Sequence, residues 1–344
     1  MRHVNIPIFI PHLGCPNQCV FCNQRTISGV LEFDINSVEE TIEASLATVS
    51  SEDDVEIAFF GGSFTGIDRN LMIELLSIAH KYIEIRAVSS IRCSTRPDYI
   101  SEEVLDILKR YGVKHIELGL QSTDDDVLLA TKRGHTAEDA ARACRLIRDA
   151  GFGLTGQMMI GLPGADIDSE LNTARFIIDA GCDSARIYPT VVFKNTELCD
   201  MAINDKYEPI SLNDAVVRSA AVYKMFIDAG VNVLRIGLCA TENLSSDDTY
   251  FAGPNHSAIG ELVENEIYYQ NIYSEASKLK LSPSDTVNVA VPRGSLSKAV
   301  GQKKRNKLLL RDILGVRDVK FYERDNLSGY RISVSAEDGR NKCT

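Results

Sequence analysis

The segment GCPNQCVFCN, residues 14–23, carries the strongest chemical signal in the sequence. Its three cysteines, Cys15, Cys19 and Cys22, have the spacing C-x3-C-x2-C and follow a short apolar run that predicts a β-strand. Thiolates are soft ligands that suit iron–sulfur clusters or zinc. Structural zinc usually has four protein ligands, and His12 is the only nearby candidate for the fourth. Three thiolates on a four-iron cluster would leave one iron open, so the residues alone allow an iron–sulfur cluster, a zinc site or reduced surface cysteines.

The same segment resembles the radical S-adenosylmethionine (radical SAM) superfamily through its cysteine spacing and the aromatic Phe21 before the last cysteine. The resemblance implies a [4Fe-4S] cluster on the three cysteines, whose open iron binds the amino and carboxylate groups of S-adenosylmethionine (SAM). It implies that reduction cleaves SAM to a 5′-deoxyadenosyl radical, which abstracts hydrogen. It also implies an electron donor such as flavodoxin or ferredoxin.

Composition limits the class of protein. The 344 residues are 25% charged and 44% hydrophobic, which is typical of globular proteins. The sequence contains no 18-residue apolar run and no signal-peptide pattern. Nine cysteines, an odd number with three clustered, favour metal chemistry in a reducing cytoplasm over disulfides. The net charge of −11 argues against a chain that is basic throughout, but it allows a local basic patch. We expect neither a membrane nor DNA as a partner.

Seven short apolar runs alternate with longer amphipathic helices up to about residue 238. Alternating βα units predict a parallel sheet with right-handed crossovers, and seven units are enough for a full or partial (β/α) barrel. In such barrels the chemistry lies on loops after the carboxyl ends of the strands, where the cysteine segment falls. The predicted strands are Ile6–Ile10, Val55–Phe60, Ile91–Ser94, His115–Leu120, Leu154–Ile160, Ala185–Pro189 and Val231–Ile236.

The pattern changes after the barrel. We predict an α/β protein with a partial barrel of radical SAM type at residues 1–240. A polar loop, helix and linker follow at 241–284, and a small basic domain with a loose tail occupies 285–344. Residues 286–324 contain ten Lys and Arg and three acidic residues, a net charge of +7, which leaves −18 for the remainder.

The order strand, helix, loop, helix, glycine, strand in this basic domain resembles a K-homology (KH) RNA-binding module, whose GXXG loop clamps the nucleic acid backbone. Here the loop is GQKK, residues 301–304, with lysine in place of the second glycine, and the added charge suits phosphate contact. A basic solvated face that binds no RNA is the alternative. The predicted RNA-binding residues are Lys303, Lys304, Arg305 and Lys307.

Motifs after several strands resemble SAM-binding motifs of the superfamily. The turn FGGSF, residues 60–64, corresponds to a Gly-Gly-Glu-like motif that contacts the SAM amino group through its backbone, here with Ser63 at the Glu position. Gln121 and Arg133 correspond to residues that hold SAM in a branch with the Elongator catalytic subunit and the oxygen-independent coproporphyrinogen dehydrogenases. The cofactor-binding residues implied are Phe21, Gly61, Gly62, Ser63, Gln121, Arg133 (to the SAM carboxylate), Gln157 (to the ribose) and Tyr188.

The stretches RPD (96–98), RIYPT (186–190) and LNDA (212–215) resemble the radical domain of the Elongator catalytic subunit in order and spacing. That subunit modifies the wobble uridine of tRNA and adds an acetyltransferase domain, for which we see no room in 344 residues. We therefore predict a radical SAM enzyme that modifies RNA, with tRNA favoured over rRNA. Radical chemistry on a small molecule and a non-catalytic cluster or haem-handling protein are alternatives. Cys239, after the seventh strand, is a candidate catalytic thiol.

Overall fold

The protein divides into two compact units. The computed structural model describes residues 2–10, 13–15, 19–23, 33–238 and 248–337. The first unit comprises residues 1–215 and 225–257, and the second comprises 216–224 and 258–344. The predicted domain boundaries after residues 240 and 284 stay predictions.

A seven-stranded sheet forms the centre of the first unit. Its strands are all parallel and lie side by side in chain order, as a curled, open half-barrel. The prediction of a partial α/β barrel is confirmed, because short apolar runs buried on both faces favour parallel pairing. The strands are β1 His3–Ile10, β2 Asp54–Gly61, β3 Ser90–Thr95, β4 Val113–Gln121, β5 Gly153–Ile160, β6 Ser184–Pro189 and, at the edge, β8 Asn232–Ile236; a separate antiparallel pair joins β7 Val192–Phe193 to β9 Tyr250–Ala252.

Helices connect the strands and cover the sheet. The helix at residues 69–84 shows how: Asp68 caps its first turn, and Met72, Leu75 and Leu76 are fully buried on its apolar face. The helices are α1 Ser37–Leu46, α2 Arg69–Glu84, α3 Glu102–Arg110, α4 Asp125–Ala130, α5 Ala137–Asp149, α6 Ile167–Asp179, α7 Glu197–Ile203 and α8 Leu212–Ala229, the last of which contributes residues 216–224 to the second unit. None of the helices in the described ranges is long and apolar enough to cross a membrane.

The register of the sheet gathers the carboxyl ends of the strands. Ile10 lies opposite Gly61, and Gly119 lies opposite Gln157. The predicted motifs after β1, β2 and β4 therefore start from neighbouring points on one edge, where loop residues meet.

The second unit has a three-stranded sheet of its own. The central strand β10 Thr286–Pro292 pairs in parallel with β11 Asp318–Arg324 and antiparallel with β12 Ser333–Glu337. The helices are α9 Ile259–Ala276, α10 Leu296–Val300 and α11 Arg305–Leu314, with a short 3-10 turn at Gln302–Lys304. The predicted order of strand, helix, loop, helix, strand is present. The core contains Tyr268, Ile272, Val287, Val289, Val291, Ala299, Leu310, Val316 and Val319.

Candidate functional site

A cavity at the carboxyl ends of β1 to β5 brings most of the predicted site residues together. Ten of them line it: the three cysteines, Phe21, Gly61, Gly62, Ser63, Gln121, Arg133 and Gln157. Four residues that the sequence analysis did not assign complete the wall: Ser94, Thr95, Arg96 and Gly119. Tyr188 is not among the lining residues.

Backbone hydrogen bonds from two distant helices hold the cysteine loop. The Val20 amide donates to the Thr131 carbonyl at 3.2 Å, just after α4, and the Leu198 amide of α7 donates to the Val20 carbonyl at 2.8 Å. The Cys22 amide donates to the Cys19 carbonyl at 3.0 Å, which closes a tight turn between the two thiols. The positions of Cys19 and Cys22 thus depend on elements formed late in the chain.

Two glycines allow the loop and the β2 turn to interlock. A side chain on Gly62 would place its Cβ 2.0 Å from the Leu13 carbonyl oxygen, and one on Gly14, at φ +73°, would place it 2.2 Å from the Ser63 carbonyl oxygen. Neither position accepts any other residue without moving backbone. The Ser63 amide donates to Leu13 at 3.1 Å, and the Ser63 hydroxyl lies 3.6 Å from the Cys15 sulfur. Ser63 therefore contacts the first cysteine directly.

Arg133 and Gln121 face the cavity with unused hydrogen-bonding capacity. Arg133 is buried, donates through Nη2 to the Gly119 carbonyl at 2.6 Å, and has Nη1 3.5 Å from the Cys19 sulfur. Its Nε and the Gln121 Oε1 are both buried and without partners in the described part of the chain. Gln121 also has φ +67°, a strained conformation of the kind that concentrates at functional sites.

Arg96 is the main cavity residue that the sequence analysis missed. Its side chain is 2% exposed, and it forms a fork with Asp98, Nε to Oδ1 and Nη2 to Oδ2, each at 2.9 Å. Its Nη2 also donates to the Arg133 backbone carbonyl. Burial would lower the pKa of Arg96, but Asp98 and the thiols of Cys19 and Cys15 raise it, so the guanidinium stays charged.

His135 lies behind this wall with both ring nitrogens buried and unpartnered among the described residues. Burial lowers the pKa of His135 to about 3, assisted by the positive charges of Arg133 and Arg96. The imidazole is therefore neutral at physiological pH.

Gln157 and Tyr188 belong to a buried ladder of charged groups across the sheet. Glu117 accepts from Arg92 at 3.0 Å, from Arg186 at 2.9 Å and from the Gln157 amide at 2.8 Å. Because the Glu117 carboxylate can only accept hydrogen bonds, it must bond to the NH2 group of Gln157. The amide oxygen of Gln157 is then available to a different donor. The Tyr188 hydroxyl bonds to Arg186.

Glu56 continues the ladder on β2. It accepts from Arg92 at 2.7 Å and pairs with His115 at 2.8 Å. Burial alone would raise the pKa of Glu56, but the hydrogen bond to His115 and the charge of Arg92 lower it to about 2. Glu56 is thus ionised at physiological pH, and both carboxylates of the ladder are paired with arginines.

Donors and spaces in the cavity fit the groups that the resemblance implies. Three thiols suit an iron–sulfur cluster, and the glycine turn admits close backbone approach, while unused guanidinium N–H groups suit a carboxylate. No trio of His, Cys, Asp or Glu within residues 2–10, 13–15, 19–23, 33–238 and 248–337 is close enough to hold a single metal ion. His12, the alternative zinc ligand, and Cys239, the candidate catalytic thiol, lie outside the described residues.

The predicted RNA-binding residues of the second unit differ in their surroundings. Lys303 and Lys304 are exposed and have positive φ angles of 50° and 62°, a strained pair of left-handed lysines. Arg305 lies 3.5 Å from Glu266, and Lys307 lies 3.0 Å from Asp318.

Helix α9 carries acidic residues that the predicted net charge of +7 for residues 286–324 does not include. Glu264 pairs with Lys298 at 2.8 Å, and Glu266 pairs with Arg305. Counted from residue 258 to 324, twelve Lys and Arg stand against eight acidic residues, a net charge of +4. The net positive charge of this part of the chain is therefore smaller than the count over residues 286–324 suggests.

Comparison with known protein families agrees with this geometry. The profile of the radical SAM superfamily matches residues 9–177, and the profile of the radical SAM C-terminal domain matches residues 182–269. The chain belongs to the radical SAM superfamily. The predicted membership of this superfamily is confirmed, and so is the prediction that the chain is an enzyme. A [4Fe-4S] cluster and SAM are the cofactors that this superfamily uses.

Curated relatives of this chain include proteins named as tRNA uridine(34) acetyltransferases. A tRNA uridine(34) acetyltransferase of Methanocaldococcus jannaschii is 31% identical over 157 residues, which are 45% of this chain and 29% of that protein. Elongator complex protein 3 of Saccharomyces cerevisiae is 27% identical over 195 residues, 50% of this chain and 35% of that protein. This chain therefore spans about a third of the length of these two relatives.

Among solved structures, Elp3 of Methanocaldococcus infernus, determined without its N-terminus, superposes with a TM-score of 0.64. The match covers 78% of this chain and 63% of that one at 21% identity, which supports a shared fold.

Proposed function

We propose that this radical SAM protein cleaves SAM at a [4Fe-4S] cluster and modifies RNA, with tRNA favoured over rRNA. The proposal of SAM cleavage at a cluster, its first half, is supported by the cavity, which contains three thiols, a glycine turn and two buried arginines. The proposal of RNA modification, its second half, is supported by the names of the relatives and by a cationic loop in the second unit. We further propose a cytoplasmic enzyme that receives electrons from a flavodoxin or ferredoxin.

In this proposal Cys15, Cys19 and Cys22 hold the cluster. SAM, when bound there, would be the source of the 5′-deoxyadenosyl radical after one-electron reduction through the cluster. The backbone of Gly61 and Gly62 receives its amino group, and Arg133, with Gln121 beside it, receives its carboxylate through forked donors. Gln157, oriented by Glu117, presents an amide oxygen that accepts from ribose hydroxyls. Phe21, Ser63 and Tyr188 are proposed as further contacts around the cofactor.

Cluster assembly is the direct test of the first half. Anaerobic reconstitution should give about four irons per chain, as for one thiolate-ligated cubane. Cys19→Ala should lose most of this iron and all SAM cleavage, whereas Cys93→Ala, at a buried thiol outside the cavity, should retain both. Unchanged iron and cleavage in Cys19→Ala would refute the ligand assignment.

RNA docking is proposed at the 301–304 loop. Lys303 and Lys304 extend from a strained turn at the start of α11, and neither forms an ion pair with another described residue. Arg305 and Lys307, held to acidic partners, contribute less. Phosphate groups would meet two free ammonium groups and the amino end of a ten-residue helix.

Charge reversal tests this surface. Lys303→Glu with Lys304→Glu should weaken tRNA binding and flatten its salt dependence, by roughly 0.7–0.9 in the log–log slope for each lost phosphate contact. The matched control is Lys278→Glu with Lys280→Glu, which changes the charge equally at exposed positions before β10. Equal losses in both variants would mean that only net charge matters, and equal binding by parent and first variant would remove the loop as the docking site.

The substrate itself is best found in cells. A strain lacking the gene should lose one modified nucleoside in mass spectrometry of its digested RNA. Complementation with the parent gene should restore it, and the Cys19→Ala version should not. An unchanged nucleoside profile would favour radical chemistry on a small molecule.

A further inference from the structure

Arg96 is the most deeply buried charged side chain of the cavity wall, at 2% exposure. It directly follows β3, so it lies between the glycine turn after β2 and Gln121 at the end of β4. A guanidinium in such a place is unfavourable unless its charge and its donors are satisfied.

Three of its five N–H groups have partners. Nε and Nη2 donate to the two Asp98 oxygens at 2.9 Å, and the second N–H of Nη2 donates to the Arg133 carbonyl. The two N–H groups on Nη1 remain, and this atom is buried without a partner in the described chain. Asp98 and the Arg133 carbonyl thus fix the plane of the guanidinium and leave one nitrogen unused.

Arg133 shows the same pattern from the neighbouring loop. Its Nη2 is held by the Gly119 carbonyl, whereas its Nε is buried and unpartnered. The two guanidiniums contribute two positive charges to one cavity, where Asp98 and the sulfurs of Cys15 and Cys19 offset part of them. The unused buried donors, on two separate guanidiniums, suit an anionic acceptor with more than one oxygen.

We propose that Arg96 is a second carboxylate-binding residue of this cavity, which acts beside Arg133 on the α-carboxylate of SAM. This inference rests on the proposed function. Of the charged groups of SAM, the sulfonium and the ammonium are cationic, so the carboxylate is the group that a guanidinium selects. A carboxylate has two oxygens with about four acceptor sites, enough for donors from both arginines.

Binding of two ligands that differ only in the carboxylate tests the inference. SAM and decarboxylated SAM are titrated anaerobically by calorimetry into the cluster-loaded protein. Arg96→Lys keeps the positive charge but lacks the planar fork, and its ammonium stays with Asp98 and the Arg133 carbonyl. It should lose roughly ten-fold or more in affinity for SAM, as expected for a charge-assisted hydrogen bond, and less than about two-fold for decarboxylated SAM.

The matched control is Arg148→Lys, at an ion-paired arginine of α5 that contacts Asp183 outside the cavity, and both affinities should remain at the parent values. Iron content and circular dichroism establish that each variant is folded and loaded. If Arg96→Lys binds SAM like the parent, or weakens both ligands equally, Arg96 does not bind the carboxylate. A parent protein that holds no iron or binds no SAM would contradict the proposed function before any variant is compared.

Discussion

Two buried polar regions of the barrel differ in how completely their groups are paired. In the ladder across the sheet, Glu56, Arg92, Glu117 and Arg186 alternate in sign, and both carboxylates are multiply hydrogen-bonded. In the cavity, atoms of Arg96, Arg133 and Gln121 are buried with no partner among the described residues, as are both ring nitrogens of His135, close to Arg133 in the chain. Among the described ladder atoms, Arg186 Nε is also buried without a hydrogen bond, although it lies 2.9 Å from Glu117 as an ion pair. The same sheet therefore holds one network that is almost completely paired and one that is short of acceptors and donors.

This difference indicates what each region does. An almost completely paired network of alternating charges stabilises one arrangement of the strands and leaves few groups for a ligand. Buried polar groups without partners destabilise the free protein. A ligand that hydrogen-bonds to these groups removes that cost and therefore binds more tightly. We therefore expect variants in the ladder to change stability and variants in the cavity to change ligand binding.

The largest effect should come from Glu117→Ala. It removes the shared acceptor of Arg92 and Arg186 and leaves both guanidiniums buried and unpaired on that side. We expect a loss of about 3–5 kcal/mol in the free energy of unfolding, measured by urea denaturation of the apoprotein. The control is Glu197→Ala, at an exposed pair with Lys132, which should change stability by about 0.5 kcal/mol or less. Similar values for the two variants would mean that the ladder is not a stabilising network.

Arg133→Ala should have the next largest effect, on ligand affinity. It removes a buried cation from the cavity, and SAM binding should weaken by roughly 1.5–3 kcal/mol in calorimetry. The neighbouring Lys132→Ala, which removes an exposed cation paired with Glu197, is the control and should bind SAM normally. Equal affinity of the Arg133 variant and the parent would place the carboxylate elsewhere.

A smaller effect is expected from the acid dependence of stability. The folded-state pKa of His135 is about 3, below its ordinary 6.5, so between these values the unfolded chain binds a proton that the folded chain does not. The free energy of unfolding therefore falls as the pH drops below 6.5, by up to about 1.4 kcal/mol per unit. Glu56, with its pKa lowered from 4.5 to about 2, loses its contribution only below pH 4.5.

The measurement compares the parent with His135→Leu by urea denaturation at pH 7 and pH 5.5. The parent should lose about 1 kcal/mol more than the variant over this interval. Parallel losses in the two proteins would show that the imidazole takes up its proton without unfolding.

The sequence predicted the seven strands and the cysteine cavity well, for a physical reason. Buried parallel strands are continuous apolar runs, and motifs placed directly after them must meet at one edge of the sheet. The ladder was missed, although it left a signal. Glu56, Arg92, Glu117 and Arg186 each interrupt an apolar strand with a charge, and the signs are opposite on successive members.

Other features depend on contacts that no local pattern contains. Arg96 was part of a quoted motif, but its place in the cavity follows from a fork with Asp98 and a contact with Arg133, 37 residues later. In the second unit, the pairing of Lys298 and Arg305 with α9 reduces a charge that was counted over too short a stretch. Both features depend on tertiary neighbours, which set charge and burial.

The tether of the cysteine loop also bears on the order in which the protein matures. Val20 bonds to Leu198, 178 residues further along the chain. At roughly 5–20 residues per second, a ribosome needs roughly 10–35 s to make that stretch. During this interval the cysteine loop lacks its hydrogen bond to α7. The site proposed for the cluster is therefore complete only after the chain has been synthesised as far as α7.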